Sequence, residues 1–173
     1  MTASTLTIAP GTYRLDTRRS TIRFRIRGMF GLAEVTGTFA VRDGTVTVTD
    51  PAGAAEVVAT VDATSVDTAN ARRDKDLRSK RFLHVSEYPA MFFRSTGLTL
   101  VPAADGEWSL AGELTVRDTT TLVTLSIQRP LPVAGGFRCR ATTTVDRYAA
   151  GVTAARGFIK QYVTLDFDVI AAR

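Results

Sequence analysis

VDATSVDTANARRDKDLRSKRFLHVSEYPAMFFRS, residues Val61–Ser95, carries a β pattern that breaks into a short charged segment and resumes at Pro89. From Ala69 to Lys80 most residues favour helix, with Thr68 placed to cap the N-terminus. Opposite charges fall at i,i+4 in Arg72/Asp76 and Asp74/Arg78, but each such pair contributes only about 0.3 kcal/mol. A helix over 69–80 must therefore dock through Leu77, with Phe82 and Leu83 following it. A lone helix between two strands makes the chain β-dominated, and the rest of the sequence agrees.

Period-two alternation prevails elsewhere, as a half-buried strand requires, because successive side chains point to opposite faces. In STIRFRIRG the inward candidates are Ile22, Phe24 and Ile26, and the outward ones Arg23, Arg25 and Arg27. EVTGTFAVR places Val35, Phe39 and Val41 on one face. YVTLDFDVI sets Val163, Leu165, Phe167 and Val169 against Thr164, Asp166 and Asp168. Further strands are expected at 45–49, 56–63, 90–95, 109–116, 122–128, 137–144 and 156–160. Asp43-Gly44 and Asp105-Gly106 are hairpin signals, Gly135-Gly136 is another, and Pro51-Ala52-Gly53 and Pro102-Ala103-Ala104 mark turns. About eight to ten antiparallel strands with one helix suit either a sandwich or an up-and-down barrel.

The 173 residues are 45% apolar and 23% charged, which fits one globular domain over 1–173, with 1–10 a peripheral N-terminus. No apolar run approaches the ~18 residues of a membrane span. MTASTLTIAP lacks the basic start and long apolar middle of a secretory signal, so a cytoplasmic location is expected. Cys139 is the sole cysteine, which rules out an intrachain disulfide and a cysteine-based metal cluster. The net charge of +5 equals the excess of Arg14, Arg18, Arg19, Arg23, Arg25 and Arg27 over Asp16. Without interleaved aromatics for base stacking, this cluster fits a solvated strand face better than a nucleic-acid site, and no nucleic-acid partner is expected.

The ordered set Asp67-Thr68, Arg73-Asp74, Leu77-Arg78-Ser79 and Tyr88-Pro89, with Phe93 and Ser95 beyond, resembles the signature of the YceI-like family. The likeness extends from Tyr13-Arg14-Leu15-Asp16 and Ser20, through Gly37-Thr38-Phe39, to Val145-Asp146-Arg147 and Gly151. It implies an all-β, lipocalin-like antiparallel barrel with an elongated apolar cavity, and relatives that hold polyisoprenoids or isoprenoid-quinone tails. The chain departs from the family pattern at Arg19, Gly28, Arg117-Asp118, Leu122 and Ala149-Ala150, where a ligand's polar end would sit. Many relatives are exported.

The catalytic inventory is thin. His84 is the only histidine, so a Ser-His-Asp triad has one candidate base, and a rim side chain bonded to backbone describes it better. Asp74 and Asp76 lie on different helix faces, and no Gly-rich phosphate loop is present. Asp166 and Asp168 share an outward face, where solubility explains them. Cys139, between Arg138 and Arg140, is expected to face inward. No catalytic residue, metal site or cofactor is therefore assigned.

The candidate ligand-lining residues are Ile22, Phe24, Ile26, Phe39, Phe92, Phe93, Leu114, Phe137 and Phe158, with Val116 and Trp108 beside them. Eight-stranded barrels are either just filled by side chains or hold one ligand, and the family resemblance favours the ligand. The expected function is binding, carriage or sequestration of a long apolar small molecule. The alternative is a cofactor-free cyclase or isomerase that uses the same cavity to hold a reactive conformer. A homodimer is left open.

Overall fold

The computed structural model describes residues 8–49, 54–100 and 107–173. The expected turns at 51–53, 102–104 and 105–106, and residues 1–7 of the N-terminal segment, lie outside them. Ten strands and one helix follow in the order β1 (Gly11–Leu15), β2 (Thr21–Gly28), β3 (Ala33–Thr49), β4 (Ala54–Asp67), α1 (Ala71–Arg78), β5 (Ala90–Leu100), β6 (Trp108–Val116), β7 (Thr119–Ile127), β8 (Leu131–Val133), β9 (Gly136–Asp146) and β10 (Tyr162–Ala172). A 3-10 turn, Met29–Gly31, joins β2 to β3.

Eight strands close a ring, β2-β3-β4-β5-β6-β7-β9-β10, with β10 pairing back onto β2 and every pairing antiparallel. The fold is thus a closed antiparallel barrel, the outcome that removes sheet edges. β1 fills the same slot as β2, because it too pairs with β3 and β10. Between them Asp16 N–H donates to the Ile170 carbonyl and Ile170 N–H donates to Ser20 Oγ, so the ladder is bridged across the break. The two pieces form one interrupted stave.

Strand length and parity are set by bulges. Val35, Phe39 and Val41 of β3 face inward, yet further along the inward set is Val46 and Val48. The register shift between Val41 and Asp43 supplies the extra residue that flips the faces. Asp43-Gly44 is therefore no hairpin, correcting the expectation from sequence: β3 runs through it. Gly44 serves the bulge by leaving room for Leu15, whose Cδ1 would lie 2.5 Å from an added Cβ. β5 repeats the device between Ser95 and Gly97, passing from Met91 and Phe93 to Leu98. At Ala134-Gly135 a tight turn joins β8 to β9, with Val133 opposite Gly136 and Gly135 at φ +77°.

Further expectations are corrected. Residues 156–160 form turns rather than a strand, with a lone bridge between Arg156 and Ile159. Ala155 and Gly157 sit at φ 57° and 81°, which curls the backbone and turns its carbonyls inward. The helix covers 71–78 rather than 69–80, and Asn70, not Thr68, caps it by accepting from Arg73 N–H. Asp76 makes its ion pair with Arg81 rather than Arg72.

Candidate functional site

The barrel encloses a cavity of about 400 Å³, within the ~300–1,000 Å³ range of ligand pockets. Its walls are β2, β3, β4, β5, β6, β7, β9 and β10 at their inward positions. Ile22, Phe24, Ile26, Phe39, Phe93, Leu114 and Phe137 all line it, as do Val116 and Trp108. Phe92 and Phe158 do not. Phe92 is 52% exposed, because in β5 the inward register belongs to Met91 and Phe93. Phe158 is 47% exposed and lies on the outside of the 153–161 turn, whose inward member is Ile159.

Further wall residues include Val57, Val61, Leu110, Val123, Leu125, Ile127, Val163, Leu165, Phe167 and Cys139. Alternation in β10 pointed to three of these, and Val57 and Val61 keep the same alternation within β4, where Ala55 and Ala59 also face the cavity. Cys139 faces inward, and burial, reinforced by Asp168, pushes its thiol up to about 12. A neutral thiol there behaves as a small apolar group.

Helix α1 and the segment after it cover one end of the barrel, contributing Leu77, Phe82 and Leu83 to the lining. The charged signature residues hold this cap in place. Asp74 is buried, and its Oδ1 accepts from Thr68 N–H at 2.8 Å and Thr68 Oγ at 2.5 Å. Arg73 donates to Thr68 Oγ and to its carbonyl, and Arg78 to the carbonyls of Thr64 and Val66. The hydrogen bonds from Thr68 outweigh burial and hold the Asp74 carboxyl below its usual value. These groups tie α1 to the end of β4.

Arg147 secures the second half of the cap. It is 5% exposed, and its guanidinium donates to four carbonyls: Lys160 (2.8 Å), Val152 (2.8 Å), Ala154 (2.8 Å) and Ile159 (2.9 Å). Burial pulls its pKa down. Five fixed donors suit one guanidinium to a ring of carbonyls from a folded-in loop. Ala150, Val152 and Ile159 of that loop complete the lining.

Among the described residues, the charged groups on the cavity wall are Arg73, Asp76 and Arg147. Arg73 and Arg147 direct their hydrogen bonds to protein partners, and Asp76 pairs with Arg81, so none forms an acid/base couple inside. His84 lies in the turn after α1, with its ring against Tyr88 and Nδ1 3.6 Å from Glu87. Arg23, Arg25 and Arg27 point outward, as do Asp166 and Asp168. Asp166 pairs with Arg25, and Asp168 with Arg138 and Arg140. Among the described residues no three His, Cys, Asp or Glu side chains gather as a metal site, and no helix is long and apolar enough to cross a membrane.

A closed antiparallel barrel, capped by one helix around an apolar cavity, is a lipocalin-like architecture. The profile of the YceI-like domain matches residues 13–171, and the chain belongs to that family. Protein YceI of Escherichia coli O157:H7 is 39% identical over 117 residues, covering 65% of this chain and 59% of that protein. Protein YceI of Salmonella arizonae is 37% identical over 116 residues, with the same coverage. These alignments thus span about three-fifths of the relatives' length. Among solved structures, Burkholderia cenocepacia BcnA superimposes with a TM-score of 0.77 at 17% identity, over 91% of this chain and 99% of that one. A polyisoprenoid-binding domain from Saccharophagus degradans, implicated in plant cell wall breakdown, gives 0.66 at 16% identity, over 92% and 97%. At such identities the likeness establishes the fold.

Proposed function

We propose that the barrel binds and carries a long apolar small molecule, isoprenoid- or quinone-like, and returns it chemically unchanged. One observation carries this reading: the cavity wall is almost wholly aliphatic and aromatic, and its two arginines are committed to holding the cap. Such a wall rewards apolar contact at ~25 cal/mol per Å² buried, and it presents no proton donor-acceptor pair to a substrate. The polyisoprenoid binding of the Saccharophagus degradans domain agrees with that ligand class. The ligand-lining set is Ile22, Phe24, Ile26, Phe39, Phe93, Leu114 and Phe137.

The test is native mass spectrometry of protein from its own host, followed by denaturing extraction. An unmodified polyprenyl-type lipid should be recovered, and Ala59→Trp, which fills the cavity from β4, should empty the protein while its β signature in circular dichroism persists. Recovery of a product that the pure protein generates from an added polyene would replace carriage with catalysis. Undiminished ligand occupancy in Ala59→Trp would refute the site.

A further inference from the structure

The 3-10 turn after β2 with Leu32 beyond it, and the 153–161 turn with the first residue of β10, present five apolar or aromatic side chains to solvent. Met29 is 53%, Phe30 71%, Leu32 87%, Phe158 47% and Tyr162 58% exposed. Phe30 and Phe158 are in direct contact, and Met29, Leu32 and Tyr162 are their near neighbours along the chain. The Phe30 and Phe158 rings meet edge-to-face with centroids 5.6 Å apart, and Phe30 N–H donates to the Phe158 carbonyl. Lys160 N–H, two residues before Tyr162, donates to the Arg27 carbonyl. Exposed apolar side chains brought together in this way mark an interaction surface.

The backbone is strained to present it. Met29 and Phe30 lie at φ 49° and 58°, a region in which bulky residues are outliers. Cations frame the tip: Arg27 and Lys160 flank it, with Arg156 on the adjoining turn, against Glu34 across the strand pair from Arg27. The tip also adjoins the cavity. Gly28, Ile159 and Val163 line the interior, and each is the chain neighbour of a patch residue, Met29, Phe158 and Tyr162. A Cβ added at Gly28 would meet nothing within 4 Å, so open space lies directly behind the patch.

From this placement we infer that the Met29–Leu32 tip, with Phe158 and Tyr162, docks on an anionic lipid bilayer, apolar side chains entering the headgroup-acyl boundary and the flanking cations meeting lipid phosphates. Apolar and aromatic side chains rimmed by basic ones are the chemistry of interfacial attachment. Docking brings the cavity edge at Gly28 to the membrane, where an apolar ligand partitions. This last point rests on the carrier reading, whereas attachment itself does not.

The test is co-sedimentation of the full chain with phosphatidylcholine vesicles, with and without phosphatidylglycerol, alongside uptake of an apolar fluorescent probe in solution. Binding should require the anionic lipid and weaken with salt. Phe30→Asn/Leu32→Asn should weaken it about tenfold or more, and Arg27→Gln/Lys160→Gln roughly fivefold or more. Asn tolerates the φ of residue 30, and both positions are exposed, so these variants should keep wild-type melting and probe uptake. Wild-type protein that ignores anionic vesicles, or a Phe30→Asn/Leu32→Asn variant that binds them undiminished, overturns the inference. So does a concentration-dependent dimer that this variant abolishes, since the patch would then join two copies. Vesicle binding without probe uptake would retain the docking tip and remove the carrier reading instead.

Discussion

Replacing Arg147 with Met tests how much of the barrel's stability resides in its cap. The four carbonyls that Arg147 serves all belong to the segment 152–160, and its side chain is almost wholly buried. Hydrogen bonds to a charged group contribute about 1.5–3 kcal/mol each, and a carbonyl left buried without a partner costs about 1–3 kcal/mol. Two offsets reduce the sum: the guanidinium no longer needs to be desolvated, and a freed turn can show its carbonyls to water. A net loss of about 3 kcal/mol follows, which at a urea m-value of about 2 kcal/mol/M lowers the unfolding midpoint by about 1.5 M. Methionine keeps the length of the stem, so the cavity should persist while its cap loosens. A bound apolar probe should then dissociate faster in stopped-flow displacement. Arg147→Lys should recover less than half the loss, because one ammonium cannot span four separate acceptors. A midpoint change worth less than about 0.5 kcal/mol in Arg147→Met, the size of an ordinary surface substitution, would refute the reasoning.

Asp74 has its folded pKa below the 3.8 of a free carboxyl, so its stabilisation is complete above that value and is lost as pH falls through the folded one. Urea midpoints of wild type and Asp74→Asn should therefore differ at neutral pH and converge below about pH 4; a constant gap would argue against the assignment. Cys139, with its thiol pushed up to about 12, should react with a charged disulfide reagent at pH 8 on the order of a thousandfold slower than an exposed cysteine. Loading the cavity with an apolar probe should slow an uncharged maleimide further, and labelling at the rate of an open thiol would place Cys139 elsewhere. Gly37→Ala puts a Cβ 2.4 Å from Phe24 Cζ and 2.9 Å from the Asp67 carbonyl, costing about 1–3 kcal/mol. Gly28→Ala meets nothing and should be near neutral, so equal melting temperatures for the two would contradict the packing described.

Much of the barrel is written in alternation, because each wall strand has one apolar face and the pattern survives wherever the strand is regular. It fails where the regularity is broken by contacts between strands. Asp43-Gly44 has the local chemistry of a hairpin, and only its pairing with Thr60 and Ala59 and the packing of Leu15 make it continuous strand beside a bulge. Phe92 and Phe93 are adjacent and equally apolar, so parity within AMFFRS does not choose between them; pairing with Leu114 does. Thr68 has the chemistry of a helix cap, yet it serves buried Asp74 while Asn70 takes the cap two residues later. Phe158 looks like core because its exposure depends on a turn closed around Arg147, a residue whose burial no local pattern announces. The resemblance to the family located Arg73, Asp74, Arg78 and Arg147 without revealing that all four serve as fasteners of the cap.

The seam between β2 and β10 sets the order in which the molecule can be completed. Ile22 pairs with Phe39 of the next strand on one side but with Phe167 on the other, so one flank of β2 is met at once while its second waits for β10. Until then the apolar wall lies open to water along that seam. Closing the wall and enclosing the cavity are therefore a single event, because the β2–β10 pairing completes both.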